Sequence, residues 1–297
     1  MSRRRLTSPQ RHLIPALRRE PTPPGAYDAF ESDLAHIYEP ARKVLTSYEG
    51  PLLRLRRASD DAQRDFGPYT RGVQLNTAAI ATWLDGADGY VVTVYDQASG
   101  FHVTQADNAL QPLYVSDGLN GKPVMRSDSN RNIFLRNPDA PWSGDQAMTG
   151  ISLSYTRTRG TSTSHNTIWG VGQAVGTQRE AIFFCTEDDK RDAIRLQGGN
   201  TIFPDSAIET WYLHIHVYPG SAATFTCRQN GSAVAATSSS MNTLNLRNGM
   251  TLFHGYGHTM VGFDGDIASV VICDAALSEE TQQKVETAMN TYWSVYP

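Results

Sequence analysis

Ser47–Asp61 reads S-Y-E-G-P-L-L-R-L-R-R-A-S-D-D, and this stretch decides the fold class. Gly50-Pro51 stops whatever precedes it. Leu53 and Leu55 then alternate with Arg54 and Arg56, the period of a half-buried strand. Ser59-Asp60-Asp61 closes that strand with turn formers. Next, L-N-T-A-A-I-A-T-W-L at Leu75–Leu84 predicts a short helix, with Ile80, Trp83 and Leu84 on one face and Asn76 or Thr77 as N-cap. G-Y-V-V-T-V-Y-D-Q at Gly89–Gln97 is β-branched and aromatic, a strand over Tyr90–Tyr95.

Upstream, Phe30, Leu34 and Ile37 fall at i, i+4 and i+7, which predicts a helix from Ala26 that Pro40 ends or kinks. Val44, Leu45 and Tyr48 extend a short helical face to Gly50. Residues 1–25 differ from everything after them. Arg3, Arg4, Arg5, Arg11, Arg18 and Arg19 all precede the first acidic residue, Glu20, and five prolines favour extended backbone. Such an arm buries no core of its own and either stays disordered or lies along a partner. Its arginines are not interleaved with aromatics, which argues against nucleic acid.

Downstream, Ile151–Thr156, Ile168–Val175, Ala181–Cys185 and Trp211–Tyr218 read as strands at the spacing of a sandwich or barrel. Asn230-Gly231 and Asn248-Gly249 each predict a hairpin. A last strand covers Ile267–Cys273. A closing helix follows, capped by Ser278, with Glu279 and Glu280 at its positive end and Val285, Met289, Tyr292 and Trp293 on its buried face.

The bulk numbers allow one large all-β domain or two smaller ones. The chain has 297 residues, 19% charged, with net charge −4, so no electrostatic case for nucleic acid exists. No apolar run approaches the roughly 20 residues that span a bilayer, and the first residues lack the apolar stretch of a signal peptide. Cys185, Cys227 and Cys273 are far apart and odd in number, which suits buried thiols in a reducing compartment.

The order S-Y-x-G-P-L-x-R-x-R-R-x-S-D, a short L-x-T-A-A-I helix and a strand ending Y-D-Q resembles the opening of the fungal-type α-L-arabinofuranosidase B catalytic domain, an opening also widespread in bacteriophage virion proteins. The resemblance continues through Thr104–Val115 and Asn120–Arg126, and covers about residues 44–135. One departure is S-G-F-H at Ser99–His102, where the family has small polar residues. The ending Gly262–Trp293 resembles the last strand and helix of laminin G-like sandwiches. Together these imply a concanavalin A-like jelly-roll sandwich over residues 26–297, with 26–100 as its opening segment, short N-terminal helices and a C-terminal helix, preceded by the extended arm of residues 1–25.

The resemblance also implies chemistry to look for. The family's nucleophile is a Glu in an M-E-A-I/V-Y-F-G-like strand; R-E-A-I-F-F-C at Arg179–Cys185 nominates Glu180. Its acid/base partner is not assigned, since Asp188, Asp189 and Asp192 sit in a charged turn. His214 and His216 share a strand face but lack a third ligand. Asp264 and Asp266 are the pair that suits a Ca²⁺ ion. Trp142, in D-A-P-W-S-G, and Trp169 are the candidates for stacking on a sugar.

The arm, the missing signal peptide, the few cysteines and the unassigned second carboxylate point to a non-enzymatic phage virion protein, a tail fibre or capsid decoration that displays a lectin-like domain to a host surface glycan. In that reading the arm binds other virion proteins, the chain self-associates, no membrane is involved, and the protein resides in the virion. An arabinofuranosidase-like glycoside hydrolase and a stand-alone carbohydrate-binding module are the alternatives.

Overall fold

The computed structural model describes residues 24–70, 72–127, 133–141, 146–159, 165–175, 178–186, 192–196, 199–203, 207–220, 225–235, 237–238, 248–254 and 260–297, with backbone alone at 165, over parts of 173–203 and at 237–238 and 260–261. These residues form twenty strands. In the first half they are β1 (Leu34–Tyr38), β2 (Leu53–Arg57), β3 (Gln63–Phe66), β4 (Gly89–Val94), β5 (Val103–Thr104), β6 (Leu113–Leu119), β7 (Lys122–Ser127), β8 (Leu135–Asn137) and β9 (Met148–Thr156). The middle holds β10 (His165–Val175), β11 (Gln178–Thr186), β12 (Asp192–Leu196), β13 (Gly199–Phe203) and β14 (Trp211–Tyr218). Then come β15 (Thr226–Gln229), β16 (Ser232–Val234), β17 (Thr237–Ser238), β18 (Met250–Leu252), β19 (Met260–Gly262) and β20 (Gly265–Cys273). Two helices complete the set, α1 (Thr77–Leu84) and α2 (Glu279–Trp293).

Backbone pairing resolves the strands into two layers. The first runs β16-β15-β14-β9-β20, all antiparallel. The far edge of β20 is shared end to end: Val270–Cys273 pair with β1, and Gly265–Ile267 pair with β7. The second runs β3-β2-β4-β5-β8-β18-β10-β11-β12-β13-β17. The chain crosses from one layer to the other at Phe263-Asp264, between β19 and β20, and the layers also touch where Tyr90 pairs with Leu113.

Two cores follow from strand alternation. Between the layers pack Leu53, Leu55, Val94, Trp169, Phe184, Phe263, Val270 and Ile272. On the outer face of the first layer, Ile151, Leu153, Leu213, Ile215 and Val271 pack against Val285, Met289 and Trp293 of α2 and against Tyr27, Val44 and Leu45. A bulge in β20 between Ile267 and Ser269 adds one residue to the outer face, after which alternation resumes. Gly150 lies under the indole of Trp169, where a Cβ would sit only 2.3 Å from the ring; any side chain there would push the layers apart.

Local signals place several elements as read from the sequence. Asn76 Oδ1 accepts from the Ala79 amide at 3.0 Å and caps α1, and Ser278 Oγ accepts from Thr281 at 3.2 Å and caps α2. Asn230-Gly231 turns β15 into β16 with both residues at positive φ, the turn that matches strand twist.

Three expectations fail. The helix from Ala26 is instead a 3-10 turn, Asp28–Asp33, followed by strand β1. The unpaired edge of β20 recruits Leu34–Tyr38, and that tertiary pairing overrides the local period. No helix forms at Val44–Tyr48. Asn248-Gly249 leads into β18, which pairs with β8 and β10 rather than folding back as a hairpin among the described residues.

Candidate active site

Glycoside hydrolysis by retention needs two carboxyl groups about 5–5.5 Å apart and open to a sugar. Five buried carboxyls among the described residues, Asp96, Glu39, Glu286, Asp264 and Asp266, bear on that requirement.

Asp96, the acid of Y-D-Q, is a structural knot. Its oxygens accept from the amides of Ile37 (2.8 Å), Ala98 (3.0 Å) and Phe101 (3.3 Å), from Ser99 Oγ (2.6 Å), and face His36 Nδ1 at 2.9 Å. Burial alone would raise this carboxyl, but His36, Ser99 and the Ile37 amide together hold it below its ordinary value. Gln97 continues the stitching: it accepts from Val44 N and donates to the carbonyls of Glu39 and Arg42. The departure at Ser99–His102 serves the same knot. The Phe101 carbonyl accepts from Tyr38 Oη, and His102 Nδ1 accepts from the Asp96 amide at 3.0 Å.

Glu39 is wholly enclosed. Burial raises its pKa against the opposing charge of Arg42, and Trp293 Nε1 donates to it at 3.2 Å. A raised carboxyl is what a general acid needs, yet this one has no face open to substrate. Glu286 is sealed by Arg228 at 2.9 Å, which ties α2 to β15.

Asp264 and Asp266 meet near solvent at the start of β20. Arg126, directly opposite Asp266 on β7, binds it with both Nε (2.9 Å) and Nη2 (2.8 Å). Arg157 Nη2 also binds Asp266, while its Nη1 lies 3.7 Å from Asp264, whose Oδ2 accepts from Thr158. The two arginines already neutralise Asp266, and among the described residues no third metal-ligating side chain joins these two acids, which leaves the calcium expectation without support. The cluster escaped the sequence reading because its members lie 109 and 140 residues apart. The available signal was the pair M-R-S and G-D-I at matching strand positions.

Trp169 is fully buried between the layers, 6.3 Å from the ring of Phe184, and cannot present its indole to a sugar. That candidate is corrected: the period-two pattern of β10 turns it inward. His214 and His216 also face the inner core and stack at 5.6 Å. Burial pushes His214 down to about 3 and His216 well below the ordinary histidine value, so both are neutral. Among the described residues no group of three metal-ligating side chains forms. Cys227 and Cys273 are buried thiols. No described helix is long and apolar enough to cross a membrane. Trp142, Asp188, Asp189 and the arm with Arg3, Arg4, Arg5, Arg11, Arg18 and Arg19 lie outside the described residues.

The backbone of Glu180 sits in β11, paired with Gln173 of β10; its side chain lies outside the described residues. Asp192 opens β12 opposite Thr186. Thr186 is six residues along β11 from Glu180, roughly 20 Å at 3.3 Å per residue. Asp192 is therefore too far to be the second carboxylate of a pair with Glu180.

The family described as alpha-L-arabinofuranosidase B, catalytic, matches residues 26–125. The opening is arabinofuranosidase B-like. A probable alpha-L-arabinofuranosidase B of Aspergillus fumigatus is 26% identical over 194 residues, which is 52% of this chain and 38% of that protein. The alpha-L-arabinofuranosidase B of Aspergillus niger is 29% identical over 85 residues, 28% of this chain and 17% of that protein. The chain thus spans well under half the length of these curated relatives. Among solved structures, an arabinofuranosidase complexed with arabinofuranosyl-alpha-1,2-xylobiose superposes with a TM-score of 0.70 at 17% identity, covering 89% of this chain and 64% of the other. A GH54 arabinofuranosidase soaked with a cyclic sulfate inhibitor superposes at 0.68 with the same identity and coverage. The fold of these enzymes is shared across nearly the whole chain.

These matches overturn the reading as a non-enzymatic phage virion protein and its placement in a virion. The similar proteins are fungal arabinofuranosidases, glycoside hydrolases by name, rather than tail fibres or decoration proteins.

Proposed function

We propose that this chain is an arabinofuranosidase-type glycoside hydrolase that releases α-L-arabinofuranosyl groups from a polysaccharide, and that its two layers form a concanavalin A-like jelly roll. The observation that carries the reading is a double coincidence. The arabinofuranosidase B family matches residues 26–125, and an arabinofuranosidase structure superposes on 89% of the chain, well past that segment.

Glu180 is the residue we assign as nucleophile. Its carboxylate attacks the anomeric carbon while a second carboxyl protonates the departing glycosidic oxygen. The resulting arabinosyl ester is then hydrolysed by water, which the second carboxyl deprotonates, with net retention. The test is turnover of 4-nitrophenyl α-L-arabinofuranoside by the intact chain. Hydrolysis is expected, with a fall of roughly 1000-fold in kcat for Glu180→Gln. Absence of hydrolysis in the intact chain overturns the activity; a fully active Glu180→Gln overturns the assignment.

A further inference from the structure

The described chain begins at a cleft. Gly25 donates its amide to Asp28 Oδ2 (2.7 Å) and Thr46 Oγ1 (2.9 Å), which pins the backbone there. A Cβ on Gly25 would stand 2.4 Å from Asp28 Oδ1 and 2.5 Å from the Val44 carbonyl, so only glycine lets the chain enter this closely. The cleft, of about 290 Å³, is lined by Gly25 together with Leu45, Tyr48, Pro68, Tyr69 and Val73. Both phenol rings are held in place. The Tyr48 hydroxyl donates to the Pro51 carbonyl, and the Tyr69 hydroxyl lies within 3.5 Å of Thr77 Oγ1 and the Ala78 amide at the start of α1. With Tyr69 39% exposed, the cleft has a fixed aromatic wall that reaches solvent.

The sequence just before Gly25 matches such a wall. Residues 18–24 read R-R-E-P-T-P-P, and residues 1–23 lie outside the described residues. From Glu20 to Pro24 every residue is a proline or precedes one, and both restraints favour polyproline II backbone. A segment so restrained loses little entropy on docking. Aromatic-lined grooves take proline rings spaced as P-x-x-P, which is the spacing of Pro21 and Pro24. Pro24 is bonded directly to a residue of the lining, so the tether is short and the effective concentration high. Charge points the same way. Residues 1–19 carry six arginines and no acid. Beside the cleft stand Glu31, which accepts from Ser47 at 2.6 Å, and Glu49, 86% exposed and 2.9 Å from Lys43.

We infer that Arg18–Pro24 is an intramolecular ligand of this cleft, a proline strap laid against Tyr48 and Tyr69 with Arg18 and Arg19 toward Glu31 and Glu49. The strap makes no use of the hydrolase chemistry, and either stands without the other. Hydroxyl-radical footprinting read by mass spectrometry compares the intact chain with a Pro21→Gly, Pro24→Gly double variant, whose changes lie outside the core. Labelling of Tyr48 and Tyr69 should rise roughly threefold in the variant while Tyr95 and Tyr212 stay level. On the other side of the contact, Tyr69→Ala should speed trypsin cleavage after Arg18 and Arg19 several-fold while cleavage after Arg64 and Lys284 is unchanged. Equal labelling of Tyr48 and Tyr69 in the two chains overturns the strap. So does unchanged cleavage in Tyr69→Ala, or a rise shared equally by Tyr95 and Tyr212 or by Arg64 and Lys284. Protection of the two rings that appears only at high protein concentration assigns the cleft to the arm of a second copy and overturns the intramolecular contact.

Discussion

Asp96, just past β4, takes hydrogen bonds from three backbone amides and a hydroxyl and faces a histidine, with none of its side chain exposed. Asp266, in β20, is equally enclosed at 4% exposure, but its partners are two arginines whose side chains are 42% and 28% exposed. The first carboxylate holds backbone; the second holds long side chains that reach water. Backbone donors cannot be resolvated once the chain has closed over them, whereas an exposed guanidinium can. The opening that carries the family resemblance is therefore scaffold in a strict sense, since its most distinctive acid is consumed in joining residues 36–44 to the end of β4.

Removing each acid's partners should break that contrast if it is wrong. Asp96→Ala strands the Ile37, Ala98 and Phe101 amides together, and a loss of about 3–5 kcal/mol is expected in urea unfolding. A loss below about 1 kcal/mol would mean that water reaches the knot.

Acidification to pH 5 gives an effect of similar size and probes the sealed interior from the other side. His214 and His216 are kept neutral by burial, with His214 pushed to about 3. Below the ordinary histidine value near 6.5 the unfolded chain binds protons that the folded chain refuses. Stability is thus complete above about pH 6.5 and falls toward pH 3, by ~1.4 kcal/mol per unit for each histidine. Urea midpoints at pH 7, 6 and 5 check this, and a flat series would place these rings in contact with water.

Arg126→Ala should cost least, about 0–1 kcal/mol, because Arg157 still holds Asp266 and the lost pair was partly solvated. Thermal melts at low and high salt sharpen the point: the small difference should shrink as salt rises. A large loss would put Asp266 in the same class as Asp96.

The strands and both caps were legible because they depend on neighbours in sequence. The alternation of Leu53 and Leu55, the Asn76 and Ser278 caps and the Asn230-Gly231 turn all stand where the sequence places them. The N-terminal helix was misread because Phe30, Leu34 and Ile37 keep a helical period while a distant edge, β20, supplies strand partners. Glu286 and Gln282, polar residues of α2, are buried although the helix's apolar pattern does not include them, since Arg228 and the Leu277 carbonyl meet them there. Of the candidate site, Trp169 was named for exposure and proved enclosed, and the Arg126–Asp266–Arg157 cluster went unnamed.

By itself the sequence determined the all-β character, several of the longer strands and the closing helix, because periods of 2 and 3.6 residues and capping side chains act over a few residues. Tertiary structure decided what the polar residues do. Whether an acid becomes a knot, a salt-bridge anchor or a sealed partner depends on donors brought from 59 to 254 positions away. It also decided which aromatic ring faces water: Trp169 went under a glycine of the opposite layer, and Tyr69 stayed at the wall of an open cleft.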